Sequence, residues 1–336
     1  MSLPFLITGV GGVIGQSLAA AFGTERVVGL VREGGTRPPD GVETVPGDVT
    51  RPDLGLGPAA YRRVADRIGG VIHSAAVTSF ARPATEVRQV NVGGTAHALR
   101  LAEAAGVPFH LISTVYVQQR DGSTETGRSR VYRESKQAAE RIARSAGVPW
   151  TIMRVTVVTG HSATGAIPRF QGIYAAMKAL VTGDAHLVPV APGSYLDFLP
   201  CDHVAECVTT LLDAGARGEH WITAGKRALT IEQFVERCQA YARGLGRTVT
   251  RPRLVDAEMV HRLIMPAFGD ALAADMRRRL EFFTDVIGPL ATDGTLPGPA
   301  AGFADLPEPP DLVACLDAAL EYWGARVRLA PKAVNG

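Results

Sequence analysis

Short apolar segments alternate with longer segments of helical periodicity through the first half of this chain. The apolar runs predict buried strands that begin at Phe5 and then cover Val27–Val31, Val42–Val45, Gly70–Ser74 and Pro108–Ser113. Between them, apolar residues recur every three or four positions, as in an amphipathic helix. Strands that are apolar on both faces and separated by helices are typical of a parallel sheet covered on both sides. The predicted fold class is therefore α/β, a Rossmann-type doubly wound parallel sheet.

The alternation becomes less regular after a strand predicted at Trp150–Val155. Gln118–Arg130 is polar and predicts an exposed loop before a helix over Val131–Ser145. Helical patterns then dominate, and they include Asp202–Leu212, Ile231–Leu245, Asp256–Met265, Ala271–Phe282 and Asp311–Trp323. We expect a first domain at residues 1–160, to which residues 196–225 return. Residues 161–195 and 226–330 would form a smaller, mostly helical C-terminal substrate lobe.

Composition narrows the class of protein without identifying a reaction. The chain has 336 residues, of which 46% are hydrophobic and 20% charged, and its net charge of +2 gives no support for binding nucleic acid or a membrane surface. No apolar run is long enough to span a bilayer, and the N-terminus enters a strand without a charged leader, so we expect a cytoplasmic protein. The four cysteines lack metal-site spacing, which predicts reduced, buried thiols and no bound metal.

A glycine turn follows the first strand, in the segment Thr8-Gly9-Val10-Gly11-Gly12-Val13-Ile14-Gly15. A strand that turns tightly into a helix presents the first N–H groups of that helix, which suit a pyrophosphate. In such a turn one glycine makes the turn, one permits close approach of the phosphate and one permits helix–strand packing. Gly9, Gly12 and Gly15 have the required spacing, and the predicted strand and helix on either side supply the context.

Arg32 indicates the type of dinucleotide. It ends the second predicted strand, where an acidic residue would bind the ribose 2′-hydroxyl of NAD and an arginine suits a 2′-phosphate. Glu33 comes one residue too late for the acidic role, and Arg37 is a candidate for a second phosphate contact. The sequence therefore predicts NADP(H) as the cofactor and residues 1–160 as the NADP-binding domain.

Tyr132 and Lys136 form the second chemical signal. Residues four apart share one face of a helix, so the phenol and the ammonium can project together. A free phenol titrates near pH 10, and a nearby ammonium would lower that pKa towards the working pH. A chain with seven tyrosines and four lysines contains this spacing by chance only roughly 0.1 times, so the pair predicts acid–base chemistry at a carbonyl.

Two further groups are candidates for supporting roles. Ser113-Thr114 closes the fifth predicted strand at the carboxyl edge of the sheet, where ligands of such folds bind. A hydroxyl there can bind a substrate carbonyl beside Tyr132, and Thr114 is preferred over Ser113. Asn91 lies on the long helix predicted over Glu86–Ala105, where it can support Lys136 through water, contact the ribose or face solvent.

Taken together, these motifs resemble the extended short-chain dehydrogenase/reductases. Leu30-Val31-Arg32, the segment from Gly47 to Leu56 and Val71-Ile72-His73-Ser74-Ala75-Ala76 narrow the resemblance to the thioester reductase-like branch. That branch includes reductase domains of carboxylic acid reductases and peptide synthetases, and fatty acyl reductases. The resemblance covers about residues 4 to 245. One departure is Arg154-Val155, where the family usually has Arg-Pro.

The resemblance implies a role for each matched residue. The pyrophosphate would lie at the turn that contains Thr8, Gly9, Gly12, Val13, Ile14 and Gly15. Arg32 would hold the 2′-phosphate, and Asp48 with Val49 would hold the adenine. Ser74, Ala75 and Ala76 would line the path of the adenosine ribose and phosphate. Lys136 would bind the nicotinamide ribose and lower the pKa of Tyr132, and the backbone at Val155 would contact the nicotinamide.

The resemblance also implies an acyl thioester substrate that is reduced to an aldehyde or an alcohol. No adenylation or carrier domain precedes the glycine turn, so an acyl or peptidyl carrier would be a separate partner. A free-standing ketone or aldehyde reductase, a sugar-nucleotide-modifying enzyme and an NADP-binding protein without turnover remain as alternatives. A homodimer through the two long helices of the nucleotide domain is an expectation by analogy with the fold.

Overall fold

The computed structural model describes residues 3–80, 82–118, 127–260, 262, 283, 291–298 and 306–329. Its strands are β1 Phe5–Thr8, β2 Val27–Val31, β3 Glu43–Pro46, β4 Gly70–His73, β5 Phe109–Thr114, β6 Trp150–Val155, β7 Val157–Thr159, β8 Leu187–Val188, β9 Tyr195–Leu196, β10 Phe198–Pro200, β11 Gly218–Ile222, β12 Leu229–Thr230, β13 Arg253–Leu254 and β14 Ala291–Thr292. Its helices are α1 Val13–Phe22, α2 Pro58–Ala65, α3 Ala84–Arg88, α4 Gly94–Ala105, α5 Gly127–Arg144, α6 Gly172–Thr182, α7 Cys201–Asp213, α8 Ile231–Gly244, α9 Ala257–Met259 and α10 Leu312–Arg326.

The central sheet has the strand order β11-β6-β5-β4-β1-β2-β3, and every pairing in it is parallel. Chain order reverses at β1, with β2 and β3 on one side and β4 onwards on the other. This is the switch point at which doubly wound sheets bind ligands beyond their carboxyl ends. The predicted fold class is confirmed.

Two apolar cores cover the two faces of this sheet. One contains α1 and α7, with Leu18 and Val204 among its fully buried residues. The other contains α2, α4 and α5, with Val64, Leu101 and Ala139. The strands are buried on both sides because helices lie over both faces, which explains why their sequences are continuously apolar rather than alternating.

The predicted bounds are accurate for strands and less accurate for helices. Val27–Val31 and Trp150–Val155 agree with the observed strands at both ends, whereas the single helix predicted over Glu86–Ala105 is interrupted by a π-helical turn at Gln89–Gly93. Helix α5 begins at Gly127, so the predicted loop is wrong over its last four residues. Those residues are polar, and their helical periodicity is hidden because Ser129 is buried although it is not apolar. The helix predicted at residues 271–282 lies outside the described residues.

The second half of the chain adds short sheets and helices to the central sheet. Strand β9 pairs antiparallel with β12 and β14, while β10 pairs with β7. Strand β11 returns to the edge of the central sheet beside β6. All four cysteines are buried free thiols. Among the described residues, none of the helices is long and apolar enough to cross a membrane.

Candidate active site

The glycine turn joins β1 to α1 and leaves the start of that helix open. Gly9 has a positive φ of 73°, and Gly12 caps the helix without any side-chain hydrogen bond. The first helical bond runs from the N–H of Gln16 to the carbonyl of Gly12, so the N–H groups of Val13, Ile14 and Gly15 precede it. N–H groups in this position at the start of a helix can bind an anion such as a pyrophosphate.

Glycine is required at both ends of this turn by close backbone contacts. A Cβ on Gly9 would lie 2.8 Å from the backbone N of Ala75, and a Cβ on Gly15 would lie 2.2 Å from the carbonyl oxygen of Gly9. Gly9 therefore admits the backbone that follows β4, and Gly15 allows α1 to pack on the turn. This cradle fits a dinucleotide.

Gly11 is a fourth required glycine, and the motif spacing alone did not identify it. A Cβ at this position would lie 2.3 Å from the carbonyl oxygen of Thr36, which belongs to the segment that follows Arg32. Only hydrogen at Gly11 permits the segment to close over the turn. The doubled glycine at Gly11-Gly12 was the available signal in the sequence.

We expect Gly11→Ala to lower the free energy of unfolding by about 1–3 kcal/mol, because the added methyl group overlaps backbone that must shift. Urea titration measures this change. Gly57→Ala is the matched control, since Gly57 has φ −68° and no atom within 4 Å of an added Cβ. Equal stability of the two variants would contradict the contact between Gly11 and Thr36.

Arg32 and Asp48 follow the carboxyl ends of β2 and β3, at the same edge of the sheet as the glycine turn. The Arg32 side chain is exposed and can meet a ligand from the solvent side. Partial burial raises the pKa of Asp48, but two hydrogen bonds from Thr50 and the charges of Arg32 and Arg51 outweigh it and lower that pKa. Arg37 instead forms an ion pair with Asp40 at the surface, 2.7 Å long.

The backbone after β4 forms the neighbouring wall of the turn. The N–H of Ser74 donates to the carbonyl of Thr8, and the N–H of Ala75 donates to the Thr8 hydroxyl. The same hydroxyl lies 2.8 Å from Nδ1 of His73. Burial, and secondarily the charge of Lys136, lowers the pKa of His73 to about 3, so this imidazole is neutral and structural. Val49 lies against α4, where its carbonyl oxygen is 2.8 Å from Nδ1 of His97 and forms a hydrogen bond with it.

Thr114, Tyr132 and Lys136 converge at the carboxyl end of β5. The hydroxyls of Thr114 and Tyr132 share a hydrogen bond, and all three residues are buried. The Lys136 ammonium donates to the carbonyl of Ile112 over 2.7 Å. Thr114 is directly opposite Val155 in the pairing of β5 with β6. The structure thus brings together the hydroxyl, the phenol and the ammonium that the sequence singled out.

The protonation of this group differs from the sequence expectation. Burial raises the pKa of Tyr132 to about 12, and the hydrogen bond with Thr114 offsets only part of that rise. Burial lowers the pKa of Lys136 to about 8, and the nearby Glu140 carboxylate opposes this effect. The expected lowering of the Tyr132 pKa by Lys136 is absent here, because the ammonium is bound to Ile112 and desolvation dominates at the phenol. At neutral pH the phenol is protonated and able to donate.

An aromatic cluster accounts for the desolvation of the phenol. The rings of Phe80, Tyr116 and Tyr132 contact one another with centroids 5.6 to 6.1 Å apart. The backbone N–H of Tyr116 also donates to the Thr114 hydroxyl over 3.3 Å. These contacts fix the Thr114 and Tyr132 side chains in a largely apolar environment.

Ser113 and Asn91 have well-defined partners of their own. The Ser113 hydroxyl donates to Glu140 over 2.7 Å, on the opposite face of β5 from Thr114. Asn91 lies in the π-helical turn, where its amide accepts from the N–H of Val77 and donates to the Val77 carbonyl and the Ser135 hydroxyl. Asn91 is buried, so it ties the segment after β4 to α5 rather than facing solvent.

Comparison with known proteins identifies relatives over the same region. The model of the male sterility protein family matches residues 37–208. The isonitrile lipopeptide synthase of Streptomyces coeruleorubidus is 28% identical over 185 residues, which are 51% of this chain and 12% of that protein. A carboxylic acid reductase of Segniliparus rugosus is 30% identical over 213 residues, which are 54% of this chain and 18% of that protein.

The fold is shared with a domain of known structure. The terminal R domain of the myxalamid PKS-NRPS biosynthetic pathway superposes with a TM-score of 0.74 at 23% identity, covering 99% of this chain and 93% of that one. The chain spans less than a fifth of the two curated relatives named above. The likeness therefore concerns one domain of much longer proteins.

Proposed function

This chain belongs to the male sterility protein family, in the thioester reductase-like branch of the extended short-chain dehydrogenase/reductases, and from that premise we propose that it is an NADPH-dependent reductase of an acyl thioester. The observation that carries the proposal is the buried hydrogen bond between Thr114 and Tyr132 at the carboxyl edge of the sheet. A donor pair at this edge lies where ligands of doubly wound folds bind.

The chain's own residues supply binding, orientation and a proton. The reduced nicotinamide cofactor supplies the hydride when bound, with Gly9, Gly12, Val13, Ile14 and Gly15 at its pyrophosphate and Arg32 at its 2′-phosphate. Asp48 and Val49 would lie at the adenine, Ser74, Ala75 and Ala76 along the ribose and phosphate path, and Val155 at the nicotinamide end. Lys136 would hold the nicotinamide ribose, and Asn91 would hold the segment between these groups.

Thr114 and Tyr132 would bind the carbonyl oxygen as negative charge develops on it. Because the pKa of Tyr132 is about 12, the phenol is protonated and gives its proton to that oxygen. Addition of one hydride and one proton to a thioester gives a hemithioacetal. The Tyr132 phenolate would take the hydroxyl proton back as the carbon–sulfur bond breaks, which leaves an aldehyde, and the departing thiolate would take a proton from water to become a thiol. A second hydride and proton would convert the aldehyde to an alcohol.

The class of substrate rests on the relatives. They are named as a lipopeptide synthase, a carboxylic acid reductase and a terminal R domain of a PKS-NRPS pathway, which supports an acyl group delivered on a carrier. An acyl or peptidyl carrier protein is accordingly the proposed partner.

The test is NADPH oxidation, monitored by absorbance, with acyl-CoA and carrier-bound thioesters against the matching aldehyde and ketone. We expect turnover with the thioester and release of one equivalent of free thiol, titrated with a thiol reagent. Consumption of NADPH with the ketone alone would reject the thioester and leave a free-standing carbonyl reductase. Tyr132→Phe, assayed in parallel, separates enzymatic from background oxidation.

A further inference from the structure

A buried carboxylate, Glu140, lies one helical turn beyond Lys136 on α5. Its side chain is 2% exposed. One oxygen accepts from the Ser113 hydroxyl over 2.7 Å and from Nε of Arg154 over 3.0 Å. The other accepts from Arg154 and from Arg144, each over 2.7 Å. Four hydrogen bonds on one carboxylate are an unusually complete set of partners.

These bonds connect the three elements that carry the proposed catalytic groups. Glu140 shares α5 with Tyr132 and Lys136, and its partners Ser113 and Arg154 are opposite each other in the pairing of β5 with β6. Each partner is followed by a residue of the site, Thr114 after Ser113 and Val155 after Arg154. Because side chains alternate along a strand, the partners face α5 while the next residues face the other side.

We propose that Glu140 is a positioning residue. It fixes α5 against β5 and β6 on the face of the sheet that α5 covers, and it holds Lys136 in its charged form. This inference rests on the proposed function for the roles of Thr114, Tyr132 and Lys136. The oxygens of Glu140 are occupied by Ser113, Arg144 and Arg154, on the face of β5 opposite Thr114. Glu140 would therefore act only through the residues of the site.

The charge of Glu140 is secured by its neighbours. Burial raises the pKa of this carboxyl, but the hydrogen bonds from Arg154 and Ser113 and the charges of Arg154 and Arg144 outweigh it, so the pKa is lowered. Arg154 also pairs with Glu219 on β11 and lies over the ring of Trp221. The carboxylate therefore remains ionised at neutral pH and favours the ammonium form of Lys136.

Within the part of the chain that the structure describes, Glu140 is the anionic group that acts on Lys136. Tyr132 is protonated, and His73 on β4 is neutral because burial lowers its pKa to about 3. Arg144 and Arg154 face Glu140, and Glu219 lies beyond them. Removing the Glu140 charge should therefore lower the pKa of Lys136 and remove its ammonium at a lower pH.

The direct test follows the ammonium itself. The chain has four lysines, so 13C-labelled lysine gives few NMR signals, and Lys136→Met identifies the one that belongs to Lys136. We expect this signal to titrate near pH 8 in the unaltered protein and about one pH unit lower in Glu140→Gln. Glu219→Gln is the matched control, which removes a carboxylate from the same cluster and should leave the titration unchanged.

A kinetic test addresses positioning. In Glu140→Gln, the alkaline limb of the pH profile of kcat should move to lower pH together with the titration of Lys136. Glu140→Asp keeps the charge and should recover part of this shift. Glu140→Gln removes a charged partner from the buried Arg154 and can therefore destabilise the fold. The double variant Glu140→Gln/Arg154→Met also removes the buried cation and serves as the control for folding. We expect it to restore the melting temperature while the Lys136 titration stays lowered.

Two results would overturn the proposal. One is an unchanged Lys136 titration in a folded Glu140 variant. The other is a double variant that recovers stability, titration and rate together, which would make Glu140 purely structural. A protein that shows the lowered NMR titration but turns over no thioester, aldehyde or ketone would instead reject the proposed function.

Discussion

Tyr132→Phe is expected to lower kcat by about 10²- to 10⁴-fold, the usual contribution of a positioned proton donor. The phenol combines a hydrogen bond with Thr114 at the carboxyl end of β5 and a proton retained at neutral pH. Phenylalanine keeps the ring contacts with Phe80 and Tyr116, so the fold should be unaffected. Steady-state NADPH oxidation measures the loss, and far-UV circular dichroism checks the fold.

Cofactor affinity distinguishes this loss from a general defect. The Tyr132 hydroxyl takes no part in the glycine turn, so the Kd for NADPH should stay within a few-fold of the unaltered protein. Tyr61→Phe on α2 removes a phenol of the nucleotide domain outside the site, and its kcat should be unchanged. If Tyr132→Phe retains full activity, then another group donates the proton.

Local patterns are sufficient to predict the sheet and the turn. The strands were predictable because each is buried on both faces and therefore continuously apolar, as at Val27–Val31. The glycine turn was predictable because backbone geometry restricts residue choice there, as the contact of Gly9 with Ala75 demonstrates. The placement of Tyr132 and Lys136 on one helix was predictable because helical periodicity puts residues four apart on the same face.

What the sequence could not supply depends on contacts between distant segments. The sequence predicts that Lys136 lowers the pKa of Tyr132. In the structure burial raises this pKa, because Phe80 and Tyr116 pack on the Tyr132 ring from separate segments. Gly11 became significant only through Thr36, 25 positions later. Ser113 and Asn91 are buried, and the sequence alone did not indicate their partners Glu140 and Val77, because those contacts follow from the packing of helices on the sheet.

The expected effect of Arg32→Ala concerns cofactor choice rather than rate. Hydrogen bonds to a charged group contribute about 1.5–3 kcal/mol, so the Kd for NADPH should rise roughly 10- to 100-fold. NADH has no 2′-phosphate, and its Kd should stay nearly constant. Arg32 is placed for this because it follows β2 beside the glycine turn and its charge reaches Asp48.

Fluorescence titration with NADPH, NADH and 2′-phospho-AMP separates the contributions. Arg37→Ala is the matched control, since the Arg37 guanidinium lies in an exposed ion pair with Asp40 and its removal should change the preference far less than that of Arg32. Added salt should weaken NADPH binding in the unaltered protein more than in Arg32→Ala, because screening acts on the charge that the variant lacks. If the ratio of NADPH to NADH affinity is unchanged in Arg32→Ala, then Arg32 does not bind the 2′-phosphate, and the predicted preference for NADP loses its basis.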